Sequence, residues 1–183
     1  MKLILASASP RRQELLKTAG FNFEVVPANI DETPDPSHTP EELVRNLAEQ
    51  KCQAVYDALQ REIVIGADTT VAIDGLILGK PSDEAEAFTM LKRLQGRPHI
   101  VYTGVCIKNL QKSLSFVENT KVYMRALSDE EIYEYIATGE PMDKAGAYGI
   151  QERGATLIEW VEGDYFTVVG LPLCRLSLAL KEF

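Results

Sequence analysis

Histidine and cysteine are scarce in this 183-residue chain, with only His38, His99, Cys52, Cys106 and Cys174. Two histidines and no H-E-x-x-H pattern exclude histidine-based zinc chemistry, and neither a Walker A loop nor a G-x-S-x-G elbow occurs. An odd number of cysteines without C-x-x-C spacing gives no disulfide framework and no thiolate zinc site, so the thiols are expected reduced and packed, as in the cytoplasm. Long apolar runs are missing too. The longest, Tyr165 to Cys174, falls well short of the roughly 18 residues of a membrane span. The run after Lys2 is too short for a secretory leader and passes straight into Pro10-Arg11-Arg12, so it reads as a strand. Positive charge is also in deficit: 19 Lys and Arg face 27 Asp and Glu, a net charge of −8. Such a surface repels nucleic-acid phosphates and anionic lipid, so neither nucleic acid nor membrane is expected as a partner.

What is present is enough for a core. Hydrophobic residues make up 45% and charged residues 25%, the proportions of a folded soluble protein, and the length suits one domain over 1–183. Lys2 to Ala6 reads as a buried strand, with Ser9-Pro10 opening a helix to Gly20 by an N-cap and a proline in the first turn. Phe21 to Pro27 is a second strand. After a Pro-rich loop, Thr39-Pro40-Glu41-Glu42 opens a helix to about Leu59 with a capping box. Glu62 to Ala67 is a β-branched strand ending at Asp68, and Asp74-Gly75 marks a hairpin beyond it. A helix from Ser82 to Leu94, strands His99 to Lys108 and Leu114 to Tyr123, and a capped helix from Ser128 to Ala137 follow. Short strands and loops then lead to a last helix from Pro172. Intermingled helices and a central hairpin predict an α/β fold with a mixed sheet.

Function is sought where residue type conflicts with position. Lys51 falls inside the apolar stripe Val44, Leu47, Ala48, Val55, Leu59, so either an anion meets it or its stem lies on the core while the ammonium reaches water. Asp68, at the end of an apolar strand, stands where α/β folds place ligand contacts, though a strand-end aspartate also caps turns. Ser7-Ala8-Ser9-Pro10-Arg11-Arg12 joins a strand to a helix N-terminus, an anion site; its two arginines oppose the helix dipole unless a polyanion takes their hydrogen bonds. Lys80, in Gly79-Lys80-Pro81, is a phosphate contact or a solvated loop lysine. Nothing local singles out Glu32 in the Pro-rich loop. Scattered carboxylates and cations are the inventory for a hard divalent metal and a phosphate substrate.

Taken together, Ser7 to Arg12, Asp31-Glu32-Thr33, Lys51, Gly66-Ala67-Asp68-Thr69, Leu78 to Pro81, Gly96 to His99 with Thr103-Gly104, Asp143 to Gln151 and Val168 to Pro172 resemble the Maf family of nucleotide pyrophosphatases over nearly the whole chain. The resemblance implies an inosine-triphosphatase-like α/β fold: a mixed, twisted sheet flanked by helices, with two lobes around a central cleft. It implies hydrolysis of a nucleoside triphosphate to the monophosphate and pyrophosphate in the cytoplasm, a homodimer, and a link to septum formation. Carried over by position, Ser7, Arg11, Lys51 and Lys80 hold the triphosphate, Glu32 and Asp68 bind Mg²⁺ or Mn²⁺, and Asp68 accepts the proton of the attacking water. Arg12, Thr69 and Gln151 correspond to the residues that distinguish the branch acting on dTTP and UTP from the one acting on 7-methyl-GTP. The Gln151 amide can accept from a pyrimidine N3–H and donate to a ring carbonyl. A nucleotide-binding regulator of septum formation without catalysis is the alternative of another class. Glu152, where glycine is usual, and Phe166-Thr167 depart from the branch pattern and bear on the base pocket.

Overall fold

The computed structural model describes residues 2–59 and 62–183. The apolar run after Lys2 forms β1 (Leu3–Leu5), and α1 (Pro10–Thr18) starts where Ser9 Oγ accepts the Arg12 N–H and Pro10 fills a position that needs no donor. β2 (Phe23–Val25) lies parallel to β1. At the start of α2 (Pro40–Leu59), Thr39 Oγ1 accepts the Glu42 N–H at 3.3 Å and Glu42 Oε2 accepts the Thr39 N–H at 2.8 Å, a reciprocal cap. β3 (Ile63–Ile73) and β4 (Leu76–Leu78) form a hairpin in which Asp74 and Gly75 take positive φ, 54° and 75°, as a tight primed turn requires. Then come α3 (Glu84–Leu94), β5 (Arg97–Lys108), β6 (Ser113–Met124) and α4 (Asp129–Ile136), the last with the expected Ser128/Glu131 capping box. Three short 3-10 turns lead to β7 (Ile158–Glu162), α5 (Tyr165–Val169) and α6 (Leu173–Leu180).

The seven strands among the described residues belong to one sheet of order β2-β1-β3-β5-β6-β7, with β4 on β3. β1 runs parallel to β2 and β3, while β3/β4 and β6/β7 are antiparallel, so the sheet is mixed as the sequence predicts. The chain divides into two compact units. The first holds residues up to Thr69, Thr103–Glu118 and Gly170–Phe183; the second holds Thr70–Tyr102 and Asn119–Val169. In the first, Ile4, Ala48, Cys52, Val55, Val64 and Cys106 pack as one apolar cluster, and in the second the core gathers on Leu91, Leu94, Val122, Met124 and Ile132.

Within the first unit α2 lies directly on two strands. A Cβ at Gly66 of β3 would stand 2.3 Å from the Ala48 carbonyl oxygen, and one at Gly104 of β5 would stand 2.3 Å from that of Val44. Backbone cannot yield like a flexible side chain, so only glycine fits at either contact.

Four expectations need correction. β3 does not stop at Asp68, because Thr69, Thr70 and Val71 prolong its β-branched character to Ile73. Leu59, counted in the apolar stripe, is 38% exposed, since it ends α2 beyond the last turn that meets the sheet. Cys174 is exposed on α6 and not packed. The stretch read as strand and loop after Ala137 contains α5 and the 3-10 turns, whose short turns carry too little periodicity to be read.

His99, in the second unit, is 3% exposed and its Nε2 lies 2.6 Å from the Tyr148 hydroxyl, while its Nδ1 has no hydrogen-bond partner among the described residues. Burial pulls its pKa down from 6.5 to about 4. The folded state therefore resists a proton that the unfolded state accepts below 6.5, so stability falls with pH through that window. Equilibrium urea unfolding is expected to lose about 2 kcal/mol on this account between roughly pH 7.5 and 5. His99→Gln, which keeps a partner for Tyr148, should flatten that part of the profile; parallel profiles for the two proteins would refute the assignment.

Candidate active site

β1 and β3 pair from Leu3↔Ile63 to Leu5↔Ile65, and the ladder closes with the Ala6 N–H on the Ile65 carbonyl at 2.8 Å. There β1 leaves the sheet into Ser7–Ser9 while β3 runs on, which puts Asp68 three residues past the end of its parallel neighbour. This is the carboxyl-end position expected of a ligand contact, reached in mid-strand.

Lys51, 7% exposed on the inward face of α2, finds anions there. Its Nζ donates to Asp68 Oδ1 at 2.7 Å and to Glu32 Oε2 at 2.9 Å. The alternative of an ammonium reaching water is thereby excluded. Two oxygens at those distances from one nitrogen are no more than 5.6 Å apart, so the loop carboxylate that nothing local singled out meets the strand carboxylate at a single point. Asp68 is buried and Glu32 half exposed, so the pair opens toward solvent on the Glu32 side. Burial pushes the Asp68 carboxyl above its ordinary value, Lys51 and Arg12 pull it back, and Glu32 adds to the rise. Among the described residues no three His, Cys, Asp or Glu side chains gather closely enough to hold a metal by themselves. Two convergent carboxylates leave most of a cation's coordination to water and phosphate oxygens, the pattern by which proteins hold Mg²⁺.

Arg12 does something the sequence does not show. Its Nε donates to the Gly170 carbonyl at 2.8 Å, Nη1 to the Ala67 carbonyl at 3.0 Å and Ser7 Oγ at 3.3 Å, and Nη2 to Thr69 Oγ1 at 2.9 Å. The guanidinium thus grips the residues on both sides of Asp68 and ties them to Ser7 and to the start of the C-terminal segment. Its rigid fork suits it to such a clamp where a lysine would not. Thr69 Oγ1 lies in turn 2.9 Å from Thr103 Oγ1, fully buried on β5. Gly170 has φ 120°, and a Cβ there would come within 3.3 Å of Thr69 Oγ1, so the approach of its carbonyl to Arg12 depends on glycine. Thr103 and the Gly170 carbonyl are partners that residue-type reasoning misses; both lie in segments the resemblance singles out. Arg11, half-buried in the first turn of α1, also makes contacts within the protein.

The remaining residues lie in the second unit. Lys80 is exposed just after β4, and the Gly79 carbonyl accepts the Gly146 N–H at 3.0 Å, fastening its loop to the Asp143–Gln151 segment. Gln151 precedes the 3-10 turn Glu152–Leu157. That turn is held by Glu140, whose Oε1 accepts the Tyr135 hydroxyl at 2.9 Å and the Gly154 N–H at 3.0 Å, and whose Oε2 accepts the Arg153 N–H at 3.2 Å. Glu152 sits at φ 53°, a left-handed conformation that costs a side chain about 1–2 kcal/mol. Glu152→Gly is expected to raise the urea midpoint by the equivalent of about 0.5–1 kcal/mol with an unchanged slope, part of the relief being lost to unfolded-chain entropy. A lower midpoint would mean that its side-chain contacts outweigh the strain.

A family model described as Maf-like protein matches residues 2–183. The chain belongs to the Maf family. Among Maf relatives, a dTTP/UTP pyrophosphatase of Caldicellulosiruptor bescii is 51% identical over 187 residues, covering 99% of this chain and 94% of the relative. A dTTP/UTP pyrophosphatase of Bacillus cytotoxicus is 50% identical over 182 residues, covering 100% and 95%. The Maf fold itself is similar to the solved structure of the Staphylococcus aureus Ham1 protein, with a TM-score of 0.50 at 17% identity over 87% of this chain and 81% of that one. At that identity the likeness concerns the fold alone. No helix among the described residues is long and apolar enough to cross a membrane.

Proposed function

We propose that this chain hydrolyses dTTP and UTP to the nucleoside monophosphate and pyrophosphate. The observation that carries the reading is the convergence of Asp68 and Glu32 on Lys51 in a chain about half identical, end to end, to proteins of that name. Asp68 is the general base, taking a proton from the attacking water; a carboxyl raised by burial is better matched to that task than an ordinary one. Lys51, Arg11, Lys80 and Ser7 hold the triphosphate, whose roughly four negative charges demand cations in a protein of net charge −8. Arg12 fixes the backbone on both sides of Asp68, and Arg12, Thr69 and Gln151 set the choice of pyrimidine, Gln151 by its amide.

The oxygen donors of Asp68 and Glu32 fit a hard divalent cation, Mg²⁺ or Mn²⁺. When bound, it neutralises phosphate charge and makes water more acidic. Were Asp68 and Glu32 to hold such a cation, the Lys51 ammonium that now donates to both would be available to a phosphate. The homodimer implied by the resemblance enters on the same terms, to be read as sedimentation at twice the 20.3 kDa chain mass.

A panel of common nucleoside triphosphates and 7-methyl-GTP with Mn²⁺ or Mg²⁺, scored for pyrophosphate, tests the reading. Release is expected from dTTP and UTP above the others, and none in chelator. Orthophosphate in place of pyrophosphate would reject the reaction, and equal or faster turnover of 7-methyl-GTP would reject the base preference.

A further inference from the structure

Two thiols of the first unit take no part in the site above. Cys52 follows Lys51 on α2, and Cys106 lies on β5. Both are buried in the cluster with Ile4, Ala48, Val55 and Val64, Cys106 on the same face of β5 as Gly104, which meets α2, and Cys52 on the turn of α2 that rests on Gly66. A buried thiol is ordinarily inert packing, but the surroundings of this pair are unequal. Cys52 Sγ donates to the Val64 carbonyl at 3.3 Å, and the neighbouring Cys106 and burial push its pKa up, so it remains a thiol. Cys106 Sγ has the Ser113 hydroxyl 3.9 Å away, with Cys52 and Ser115 as further polar neighbours. These neighbours, Cys52 foremost, draw the Cys106 thiol below its ordinary value against the cost of burial. A cavity of about 540 Å³ lined by Glu49, Gln53, Asp57, Lys108 and Ser113 reaches Cys106, ample for an oxidant little larger than water.

We propose that Cys106 and Cys52 are an oxidisable dithiol, in which Cys106 reacts with a peroxide entering from this cavity and Cys52 closes a disulfide between α2 and β5. In the first step the Cys106 thiolate attacks one peroxide oxygen, the O–O bond breaks, and the leaving hydroxide takes a proton to become water, leaving a sulfenic acid. In the second, Cys52 sulfur attacks Cys106 Sγ, the S–O bond breaks, and the departing hydroxide takes the Cys52 proton. Two thiols and one hydrogen peroxide thus give one disulfide and two waters.

The bond would act on the helix turn that holds Lys51. The Cys52 N–H already lies against Gly66, where even a Cβ would come within 2.7 Å, so α2 has no slack over β3. Drawing Cys52 toward β5 moves Lys51 relative to Asp68. This consequence rests on the role proposed for Lys51; the crosslink does not.

The test exposes the full reduced chain to hydrogen peroxide, alkylates remaining thiols after denaturation, and reads intact mass and a peptide map. Expected is a loss of about 2 Da, a crosslinked pair of peptides containing Cys52 and Cys106, and an alkylated Cys174. Pyrophosphate release from dTTP should fall at least about tenfold and return with dithiothreitol, since displacements near 1 Å can cost that much. Cys106→Ala should abolish both changes. Complete alkylation of all three cysteines after peroxide, or a Cys106 sulfinic acid without crosslink, would overturn the proposal. Crosslinked protein with undiminished turnover would overturn the link to Lys51. A reduced protein without activity would instead reject the proposed hydrolysis, leaving the mass measurement to decide the dithiol.

Discussion

Asp68→Asn is expected to lower kcat for dTTP by about 10³-fold, within the range set by loss of a positioned general base. The change is nearly isosteric. The Asn carbonyl can still accept from Lys51, which stands 2.7 Å from Asp68 Oδ1, so the fold should survive. Burial disfavours the charge at this position, and Glu32 at 2.9 Å still compensates Lys51 once it is gone, so the melting temperature should stay unchanged or rise slightly. Kinetics at saturating metal together with a thermal melt check both halves. More than a tenth of wild-type turnover in a folded variant would remove Asp68 from the role of base.

Lys51→Met should have the largest effect on stability. The wild-type ammonium is 8% exposed and compensates a carboxylate that is 13% exposed, with Glu32 beside it. Taking away one partner of a buried pair leaves the other uncompensated, at about 3 kcal/mol or more. The pH dependence follows from the shift at Asp68, which burial already raises and which loses an opposing cation in the variant. A raised carboxyl is protonated in the folded state before the unfolded one, so its destabilising charge disappears as pH falls through the folded pKa. In chelator, therefore, the deficit of Lys51→Met against wild type should shrink on acidification. Adding Asp68→Asn to Lys51→Met should recover part of the loss, a coupling a double-mutant cycle reads directly. An additive cycle would mean that the ion pair contributes nothing.

How much of this was legible in the sequence depends on whether the signal was local. The capping boxes at Thr39 and Ser128, the Pro10 start and the Asp74-Gly75 hairpin were readable because turn and cap chemistry lies within four residues of its effect. Lys51 was conspicuous because a cation broke a helical period, but its partners come from a loop 19 positions earlier and a strand 17 positions later, and no periodicity reports those. Glu32 had no local mark. Arg12 was read as a charge displayed to a polyanion because its residue type says so; the carbonyl it grips at Gly170 is 158 positions away. The extent of β3 past Asp68 was misjudged because a charged residue inside a strand looks like its end, when the neighbouring strand is what stops.

The two bare contacts beneath α2 also bear on how this protein can vary. In a saturation library sorted for folded chains, positions 66 and 104 should return one residue each, because helix backbone occupies the volume where any Cβ would go. Leu43, Leu47 and Val55, whose side chains are buried, should accept exchange among aliphatics. Tolerance along this helix is therefore set from beneath, by which rungs of the strands it rests on, and hydrophobicity of its own residues is a poor guide to it.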